Sequence, residues 1–433
     1  MTHRATAGRT LGVEALARVE GEGGLVVETV DGRVVGVELR IYEPPRFFEA
    51  FLRGRGHQEP PDLTARICGI CPVAYQMSAC RAIEDACGAT VDGPLDDLRR
   101  LIYCGEWIES HALHVYLLHA PDFLGAQSAV ELAERDRPAV ERGLRLKQAG
   151  NHLVEVIGGR AIHPVNIRVG GFHRVPTRRE LRRLREPLEQ ARDDAAATVA
   201  WVAGFDFPDR RIDDPLVAVS DPGHYPVIGG RVVSTAGLDI AEHQFLDHVV
   251  EEHVARSTAL HATLDGDRYA VGPLARYALA SDRLSPGARE AARGAGLGDV
   301  ERNPFRSVVV RAVEVLHACE EGLRLVDGYE EPDRPAVAVE PREAVGHGCT
   351  EAPRGLLYHR YALDGDGTVL DARIVPPTSQ NQGAIEHDVW HVVEDNLHLD
   401  DEALTRLAEQ AIRNHDPCIS CAAHFLDLRR FER

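Results

Sequence analysis

"DPCISCAAHF", residues 416–425, and "RICGICPVAY", residues 66–75, each place two cysteines three positions apart. The two pairs lie near opposite ends of a chain of 433 residues. Their members are Cys68 and Cys71 in the first pair, and Cys418 and Cys421 in the second. Four thiolates that come together from such distant segments would suit a soft transition metal such as nickel or iron.

Other uses of these thiols explain less of the pattern. A zinc ribbon separates its pairs by roughly 15–20 residues, whereas the interval from Cys71 to Cys418 covers most of the chain. Thioredoxin-like redox chemistry needs only one pair and leaves the other unexplained. Iron–sulfur clusters use three or four closely spaced cysteines, and the sequence has no such run. A structural zinc site built from all four thiolates stays the alternative.

The composition is typical of a globular protein, with 44% hydrophobic and 27% charged residues. The net charge of −19 argues against a nucleic-acid partner, because phosphate binding needs basic patches. No segment reaches about 18 uninterrupted apolar residues, and the first residues lack the apolar stretch of a signal peptide, so we expect no transmembrane segment. Nine cysteines scattered through a large chain favour a reducing cytoplasm over a secreted disulfide scaffold.

Strand patterns occur at both ends of the chain. Residues 10–41 predict strands with a hairpin turn at Asp31-Gly32, and a second hairpin is predicted to turn at residues 364–367. Helical patterns occupy most of the interval between them. We therefore predict an α+β fold: one large domain, residues 1–433, with a central bundle of long helices and small β-sheets near both termini, which meet.

The helices are predicted from the spacing of apolar residues. One begins at Pro72 and ends at Gly88, and another begins at Pro94 and stops before Pro121. Further helices are predicted at about 135–157, 178–203, 240–263, 306–325 and 401–413.

Six motifs, taken in order, resemble those of a known family. They are RVEGEG (18–23), FFEAFLRGR (47–55), RICGICPVAYQMSA (66–79), EAPRG (351–355), VPPTSQN (375–381) and DPCISCAAHF (416–425). They cover the chain from about residue 18 to 424, and they resemble the signatures of the large, catalytic subunit of nickel–iron hydrogenases. One C-x-x-C pair would be weak evidence, whereas six ordered motifs are specific.

The resemblance implies a centre of two metals held by the four cysteines. Cys68 and Cys418 resemble the terminal nickel ligands, and Cys71 and Cys421 resemble the thiolates that bridge nickel to iron. In this family the iron also carries carbon monoxide and two cyanides, which maturation proteins install. Heterolytic cleavage of dihydrogen needs a Lewis acid and a nearby base, and a thiolate on nickel can be that base.

The resemblance also assigns residues around the metals. Arg354 would lie over them and contact a cyanide, and it could polarise the bond without losing its own proton. The remaining residues that would line this pocket are Pro376, Pro377 and Thr378.

Two acidic residues receive roles from the resemblance. Glu20 matches the glutamate that takes the proton from the terminal thiolate Cys418; the alternative is a residue that bounds a strand and faces water. Glu49 matches a ligand of a magnesium or iron ion near the C-terminus, with His424 and the carbonyl around Arg373 as further ligands. Without the resemblance, Glu49 would be interpreted as a solvated helix residue.

The implied activity is the interconversion of dihydrogen with protons and electrons. The chain has no iron–sulfur or nucleotide motif of its own, so electrons would leave through an iron–sulfur small subunit, then through flavin- and NAD(P)-binding subunits. Nickel chaperones and a maturation endopeptidase are further expected partners, and the endopeptidase would remove residues 425–433.

Departures from the common family pattern occur at Tyr75, Ser110 and Pro377. They resemble the cytoplasmic, nicotinamide-linked branch of the family. A hydrogen sensor or a non-catalytic relative of the same fold is the alternative, although retention of all four cysteines argues against the non-catalytic relative. His111 and His114 lie on one predicted helical face as a possible metal pair, but we interpret them as satisfied histidines of the core or of an interface.

Overall fold

The computed structural model describes residues 8–423. The chain begins with an antiparallel sheet of three strands, β1 (Gly8–Val13), β2 (Gly23–Val30) and β3 (Arg33–Ile41). Asp31 and Gly32 have φ angles of 52° and 73°, the left-handed conformation that a two-residue hairpin turn requires, so the predicted hairpin is confirmed. Two short helices follow, α1 (Phe48–Leu52) and α2 (Pro60–Thr64).

The long helices begin after the first cysteine pair. Helix α3 (Pro72–Cys87) ends at Gly88, whose φ of 67° gives the left-handed cap common at helix ends. Helix α4 (Pro94–Leu113) was predicted to stop before Pro121, but the helical path continues as a π-helical turn (His114–His119) and α5 (Ala120–Phe123). Pro121 lies in the first turn of α5, where its missing N–H removes no hydrogen bond.

The next elements complete one side of the helix bundle. They are α6 (Ala129–Arg135), α7 (Arg137–Gly158), the short strands β4 (Ile167–Arg168) and β5 (Gly171–Phe172), α8 (Arg178–Arg182) and α9 (Arg185–Ala203). A Cβ atom at Gly150 of α7 would lie 2.6 Å from the carbonyl oxygen of Gly105 in α4. Glycine at this crossing therefore lets the two helices approach backbone to backbone.

The middle of the chain holds a β-rich unit. Its elements are β6 (Leu216–Ser220), β7 (Arg231–Ser234), β8 (Asp239–Ile240), α10 (Phe245–His248), β9 (Val249–His253), β10 (Leu260–Leu264) and β11 (Ala270–Val271). The helix predicted over 240–263 is wrong, because β9 and β10 form an antiparallel hairpin there. Leu260, Ala262 and Leu264 alternate with more exposed residues, which is the period of a strand.

Helices then return: α11 (Pro273–Ala280), α12 (Pro286–Gly294) and α13 (Ser307–Gly328). Helix α13 confirms the prediction for 306–325, and most of its residues are buried. It packs against α4 and α9 in the centre of the bundle.

The C-terminal part supplies the second sheet and the last helices. Its elements are β12 (Ala344–Ala352), β13 (Gly355–Leu363), β14 (Val369–Val375), α14 (Pro377–Asp395), α15 (Asp401–Asn414) and α16 (Ile419–Ala422). The predicted hairpin between β13 and β14 and the helix near 401–413 are confirmed, whereas α14 was not predicted. The backbones of Glu20 and Cys418 form a parallel bridge, so the two ends of the chain meet as expected.

The predicted α+β class, with long helices in the centre and small sheets near both ends, is confirmed. Its extent as one domain over the whole chain stays a prediction. Within residues 8–423, no helix has the length and apolar character needed to cross a bilayer.

Candidate metal centre

The four cysteines of the two C-x-x-C pairs converge at one buried point. All four Sγ atoms lie within 4.8 Å of one another. Cys68 and Cys418 are 3.5 Å apart, Cys71 and Cys421 are 3.7 Å apart, and the Sγ atoms of Cys418 and Cys421 are 2.8 Å apart. In the part of the chain that the structure describes, no other group of three or more histidine, cysteine or carboxylate ligand atoms converges in this way.

Helix starts position the cysteines. Cys71 immediately precedes α3, and Cys418 immediately precedes α16. The Cys418 backbone N–H donates to Thr378 Oγ1 at 2.9 Å, and the Ile419 N–H donates to the Glu20 carbonyl at 2.9 Å. The second pair is therefore fixed by backbone hydrogen bonds to both the N-terminal segment and α14.

Arg46 joins the two cysteine segments, and sequence reasoning missed it. Its Nη2 donates to the carbonyl of Ile67, next to Cys68, at 2.6 Å, and also to the carbonyl of Ser420. The Arg46 N–H donates to the Ala423 carbonyl at 2.9 Å. One arginine thus holds the first pair against the second, although no spacing in the sequence predicts that partnership.

The electrostatics of the thiols suit bound cations. Burial raises the pKa of the Cys418 thiol well above its usual range, and hydrogen bonds from Cys418 and its neighbours lower the pKa of the Cys68 thiol. Once one of the four thiols is ionised, its negative charge therefore opposes ionisation of the other three. Because metal binding needs deprotonated thiols, positive ions among the four sulfurs would make all four thiolates stable. Soft donors in a dry pocket fit nickel and iron.

Arg354 lies close to the four-cysteine centre. Its Nε donates to the Asp416 carbonyl at 2.9 Å, and its Nη2 lies 3.2 Å from Asp416 Oδ1. Burial alone would lower the pKa of Arg354, but the charges of Asp416 and of the cysteine cluster raise it well above the usual value. Arg354 Nη1 is buried with no hydrogen-bond partner in residues 8–423, which leaves a donor for a ligand of the metals.

Asp416 is the residue that orients Arg354, and it was not singled out from the sequence. Its φ of 51° is uncommon for a residue other than glycine. Its second carboxylate oxygen lies 3.4 Å from Arg311 Nη1, so the carboxylate is held between two buried arginines. The motif D-P-C contained this residue, but only the fold brings both arginines to it.

The three predicted pocket residues lie together at the start of α14. Pro376 precedes the helix, Pro377 begins it, and all three of Pro376, Pro377 and Thr378 are buried. The Thr378 hydroxyl contacts the cysteine cluster, because it accepts a hydrogen bond from the Cys418 N–H.

Glu20 contacts the cluster directly. Its Oε2 accepts from the Cys418 thiol at 3.0 Å and from the Ser420 N–H at 3.1 Å. The Glu20 side chain is half-buried. This position is the one that a proton acceptor for Cys418 requires.

Glu49 lies away from solvent, against strand β14. Its Oε1 accepts from the Ile374 N–H at 2.8 Å, and its Oε2 lies 3.8 Å from Arg373 Nη1. The structure therefore brings Glu49 to the backbone around Arg373; their role as ligands of one ion stays a prediction. The third expected ligand, His424, lies outside the described residues, as does the predicted tail 425–433.

A further buried carboxylate, Glu251, lies beside these residues. It accepts from Ser379 Oγ at 2.8 Å, lies 3.4 Å from Arg373 Nη2, and burial raises its pKa to about 7. Sequence reasoning missed it because the surrounding segment was predicted as a helix rather than the β9–β10 hairpin.

His111 and His114 do not form a metal pair. His111 Nε2 lies 3.0 Å from Glu314 Oε2, and His114 Nε2 contacts the Arg413 carbonyl at 2.8 Å. Both rings are buried, and one nitrogen of each faces a different partner, which favours their interpretation as core histidines.

Comparisons with known proteins agree with this geometry. The family described as nickel-dependent hydrogenase matches residues 46–142. The chain is similar to the sulfhydrogenase 1 alpha subunit of Pyrococcus furiosus, with 32% identity over 421 residues that cover 96% of this chain and 98% of that protein. It is 28% identical to the beta subunit of the NAD-reducing hydrogenase HoxS of Cupriavidus necator, over 96% of this chain and 95% of that protein.

A solved structure has the same fold over nearly the full length. It is the crystal structure of an NAD⁺-reducing [NiFe]-hydrogenase in the H2-reduced state, with a TM-score of 0.87 and 29% sequence identity. The alignment covers 96% of this chain and 99% of that chain.

Proposed function

The chain belongs to the nickel-dependent hydrogenase family, and from that premise we propose that it is the catalytic subunit that cleaves H2 at the four-cysteine centre. The observation that carries the proposal is the convergence of four buried Sγ atoms within 4.8 Å. A structural zinc site would need only these sulfurs. A structural zinc site does not need the buried charge of Arg354 or the carboxylate of Glu20, whereas cleavage of H2 can use both.

Cys68 and Cys418 would hold nickel alone, and Cys71 and Cys421 would hold both nickel and iron. The iron would carry one carbon monoxide and two cyanides. When bound, the metals supply the Lewis acidity that polarises H2 and accept its electrons. Arg354 would donate its unpartnered Nη1 to a cyanide, because a guanidinium keeps its charge and its protons in a buried site.

The chain's own residues move the proton. Cys418 accepts it on Sγ and passes it to Glu20 Oε2 across the 3.0 Å contact. The Ser420 N–H also donates to that oxygen, which holds the carboxylate in place whether or not it carries the proton. From Glu20, which is half-buried, the proton can reach water.

A second ion, magnesium or iron, would bind to Glu49, to the carbonyl around Arg373 and to His424. The burial of Glu49 and the hydrogen bond that its Oε1 accepts from the Ile374 N–H, next to Arg373, support this assignment.

Electrons would leave through partner subunits. Among the described residues the four-cysteine cluster is the single group of three or more converging metal-ligand atoms, and an iron–sulfur small subunit would receive the electrons from it. The similarity to an NAD-reducing hydrogenase and to sulfhydrogenase alpha subunits supports further flavin- and NAD(P)-binding subunits and a cytoplasmic location.

Maturation would involve nickel chaperones and an endopeptidase that cuts behind His424. The active chain would then lack residues 425–433. Mass spectrometry of nickel-loaded, active protein tests this: a chain that ends at His424 is expected, and an active chain that still ends at Arg433 contradicts it.

Infrared spectroscopy of the purified complex, with elemental analysis, tests the proposed function. One carbonyl and two cyanide bands together with nickel are the expected result. Zinc without these bands would establish the structural alternative. A centre with the bands but without turnover of H2 would favour the hydrogen-sensing alternative.

A further inference from the structure

A pair of histidines on α14 lies outside the four-cysteine centre. His387 and His391 are one helical turn apart, and their Nε2 atoms approach to 2.9 Å. Both side chains are half-buried and reach solvent. Two imidazole nitrogens that converge at the helical spacing i, i+4 are a frequent arrangement for binding a transition metal.

The separation of the two nitrogens indicates which geometry they suit. Metal–imidazole bonds are roughly 2.0–2.1 Å long, so ligands at a right angle are about 3.0 Å apart and tetrahedral ligands about 3.4 Å apart. The observed 2.9 Å is the length of a hydrogen bond between the two rings, and a metal at a right angle could replace that hydrogen bond without moving the nitrogens. That angle is typical of octahedral or square-planar nickel and copper, whereas zinc in structural sites is tetrahedral.

A carboxylate supports His387 from behind. Asp214 Oδ2 lies 3.4 Å from His387 Nδ1, and Arg268 Nε holds the other oxygen, Oδ1, at 2.6 Å. Histidines that bind metals commonly donate their second ring N–H to a carboxylate, which leaves Nε2 as the free lone pair. At 3.4 Å the negative charge of Asp214 would favour the tautomer of His387 that carries its proton on Nδ1.

The neighbouring Asp388 has another use. It lies between the two histidines in the sequence HDVWH, a spacing similar to that of zinc proteases, in which an acid serves as the general base. Here Asp388 is buried and binds His415 Nε2 at 3.2 Å and Arg210 Nε at 3.4 Å. It is therefore engaged away from the histidine pair, and a protease activity does not follow. The same ion pair offsets the charge of Arg210, which lies near His391.

We propose that His387 and His391 form a second metal site, for a divalent first-row ion that accepts ligands at a right angle, such as Ni²⁺. Within residues 8–423 no third histidine, cysteine or carboxylate atom completes the pair, so water would fill the other positions. The site would be labile and accessible, unlike the buried cysteine centre. This inference does not depend on the proposed hydrogenase activity.

Equilibrium dialysis of the purified full-length protein against Ni²⁺ alone, after removal of loose metal with a chelator, tests the site. The wild type should bind one more nickel per chain than the double variant His387→Ala/His391→Ala. Equal nickel in the two proteins would overturn the proposal and leave the pair as an imidazole–imidazole hydrogen bond. Because the comparison is a difference, nickel in the cysteine centre does not affect it.

Two variants sharpen the test. Asp214→Asn should weaken nickel binding by about 10- to 100-fold, the usual effect of losing a carboxylate behind a ligand histidine. His398→Ala, at an exposed position beyond the end of the same helix, should leave binding unchanged. Tighter binding of Zn²⁺ than of Ni²⁺ would contradict the right-angle geometry. Where the double variant does not fold, His391→Gln keeps a polar side chain and should still lose at least 10-fold in affinity.

Discussion

Cys418 Sγ lies 3.0 Å from Glu20 Oε2, and the backbones of the same two residues form a parallel bridge. Two segments almost 400 positions apart are therefore held in register by main-chain hydrogen bonds, including Ile419 N–H to the Glu20 carbonyl. The distance from sulfur to carboxylate is fixed by the fold rather than by two mobile side chains. This is the geometry that a short proton transfer requires.

Glu20→Gln removes the proton acceptor while it keeps the shape and the contact with Ser420 N–H. We expect H2 oxidation to fall by about 10²- to 10⁴-fold, the usual contribution of a positioned acid or base. Nickel and iron content should not change, because glutamine leaves the four thiols in place. Assay of H2-dependent dye reduction beside metal analysis checks both. Glu22→Gln, an exposed neighbour in the same motif, is the matched control and should retain activity.

Arg354→Lys tests the donor at the metal centre. Lysine keeps the positive charge but cannot bind Asp416 through one nitrogen while it offers a second to a ligand of the metals. We expect turnover to fall by about 10²- to 10³-fold, as for loss of one preorganised donor, and a shift of the cyanide bands in the infrared spectrum. Arg360→Lys, on the strand β13 that follows Arg354 and in a partly exposed pair with Asp371, should change neither the turnover nor the bands. Unchanged bands in Arg354→Lys would contradict the assigned contact.

Cys71→Ser tests whether the cluster binds its metals as a unit. A hydroxyl at this position is a hard ligand and is not deprotonated as a thiol is, so both metals should be lost from the chain. Nickel and iron per chain, measured by mass spectrometry of the elements, should fall to background. Cys87→Ser removes a partly buried thiol that lies outside the cluster, and its metal content should match the wild type.

The four cysteines and the two hairpins could be predicted because their signals are local. Each C-x-x-C pair and each turn is contained within a few residues, and Gly88 ends α3 where the sequence places it. Helix α14 was missed because its first turns bury polar residues in place of an apolar stripe. Those residues are Thr378, Ser379, Gln380, Asn381 and Gln382.

Other parts of the site depend on contacts that sequence spacing does not contain. Arg46 binds carbonyls 21 and 374 positions away, and Asp416 pairs with Arg354 across 62 positions. Glu251 could not be placed near Glu49, because the segment that holds it was predicted as a helix and not as the β9–β10 hairpin. Long-range partners of this kind follow from topology, which the local pattern did not determine.

Glu314→Gln tests the buried ion pair at the centre of the bundle. Glu314 binds Arg276 through both carboxylate oxygens, at 2.7 and 2.8 Å, and both side chains are fully buried. Loss of the carboxylate charge leaves the guanidinium undercompensated, so we expect the free energy of unfolding to fall by about 3–5 kcal/mol. Urea unfolding measures the change. Glu321→Gln, on the same helix in a pair with the exposed Arg324, should cost no more than about 1 kcal/mol.

His261→Gln tests how a partly buried histidine limits stability in acid. Burial lowers the pKa of His261 to about 4, below the usual value near 6.5, and Arg256 lowers it further. Between these values the unfolded chain binds a proton that the folded chain does not, so this histidine destabilises the fold as the pH falls from about 6.5 to 4. Its contribution is up to about 1.4 kcal/mol per pH unit.

Relative to the wild type, His261→Gln should therefore gain stability through that pH window and show no pH-dependent difference above it. Urea unfolding of both proteins at about pH 7, 6 and 5 gives the difference between their free energies of unfolding at each pH. Both proteins contain the same carboxylates, so these cancel when the two free energies of unfolding are subtracted. One of them is Glu351, whose pKa burial raises to about 7 and which therefore stabilises the folded chain as the pH falls. The exposed His398→Gln provides the matched control, and a His261→Gln difference that does not vary with pH would contradict the burial argument.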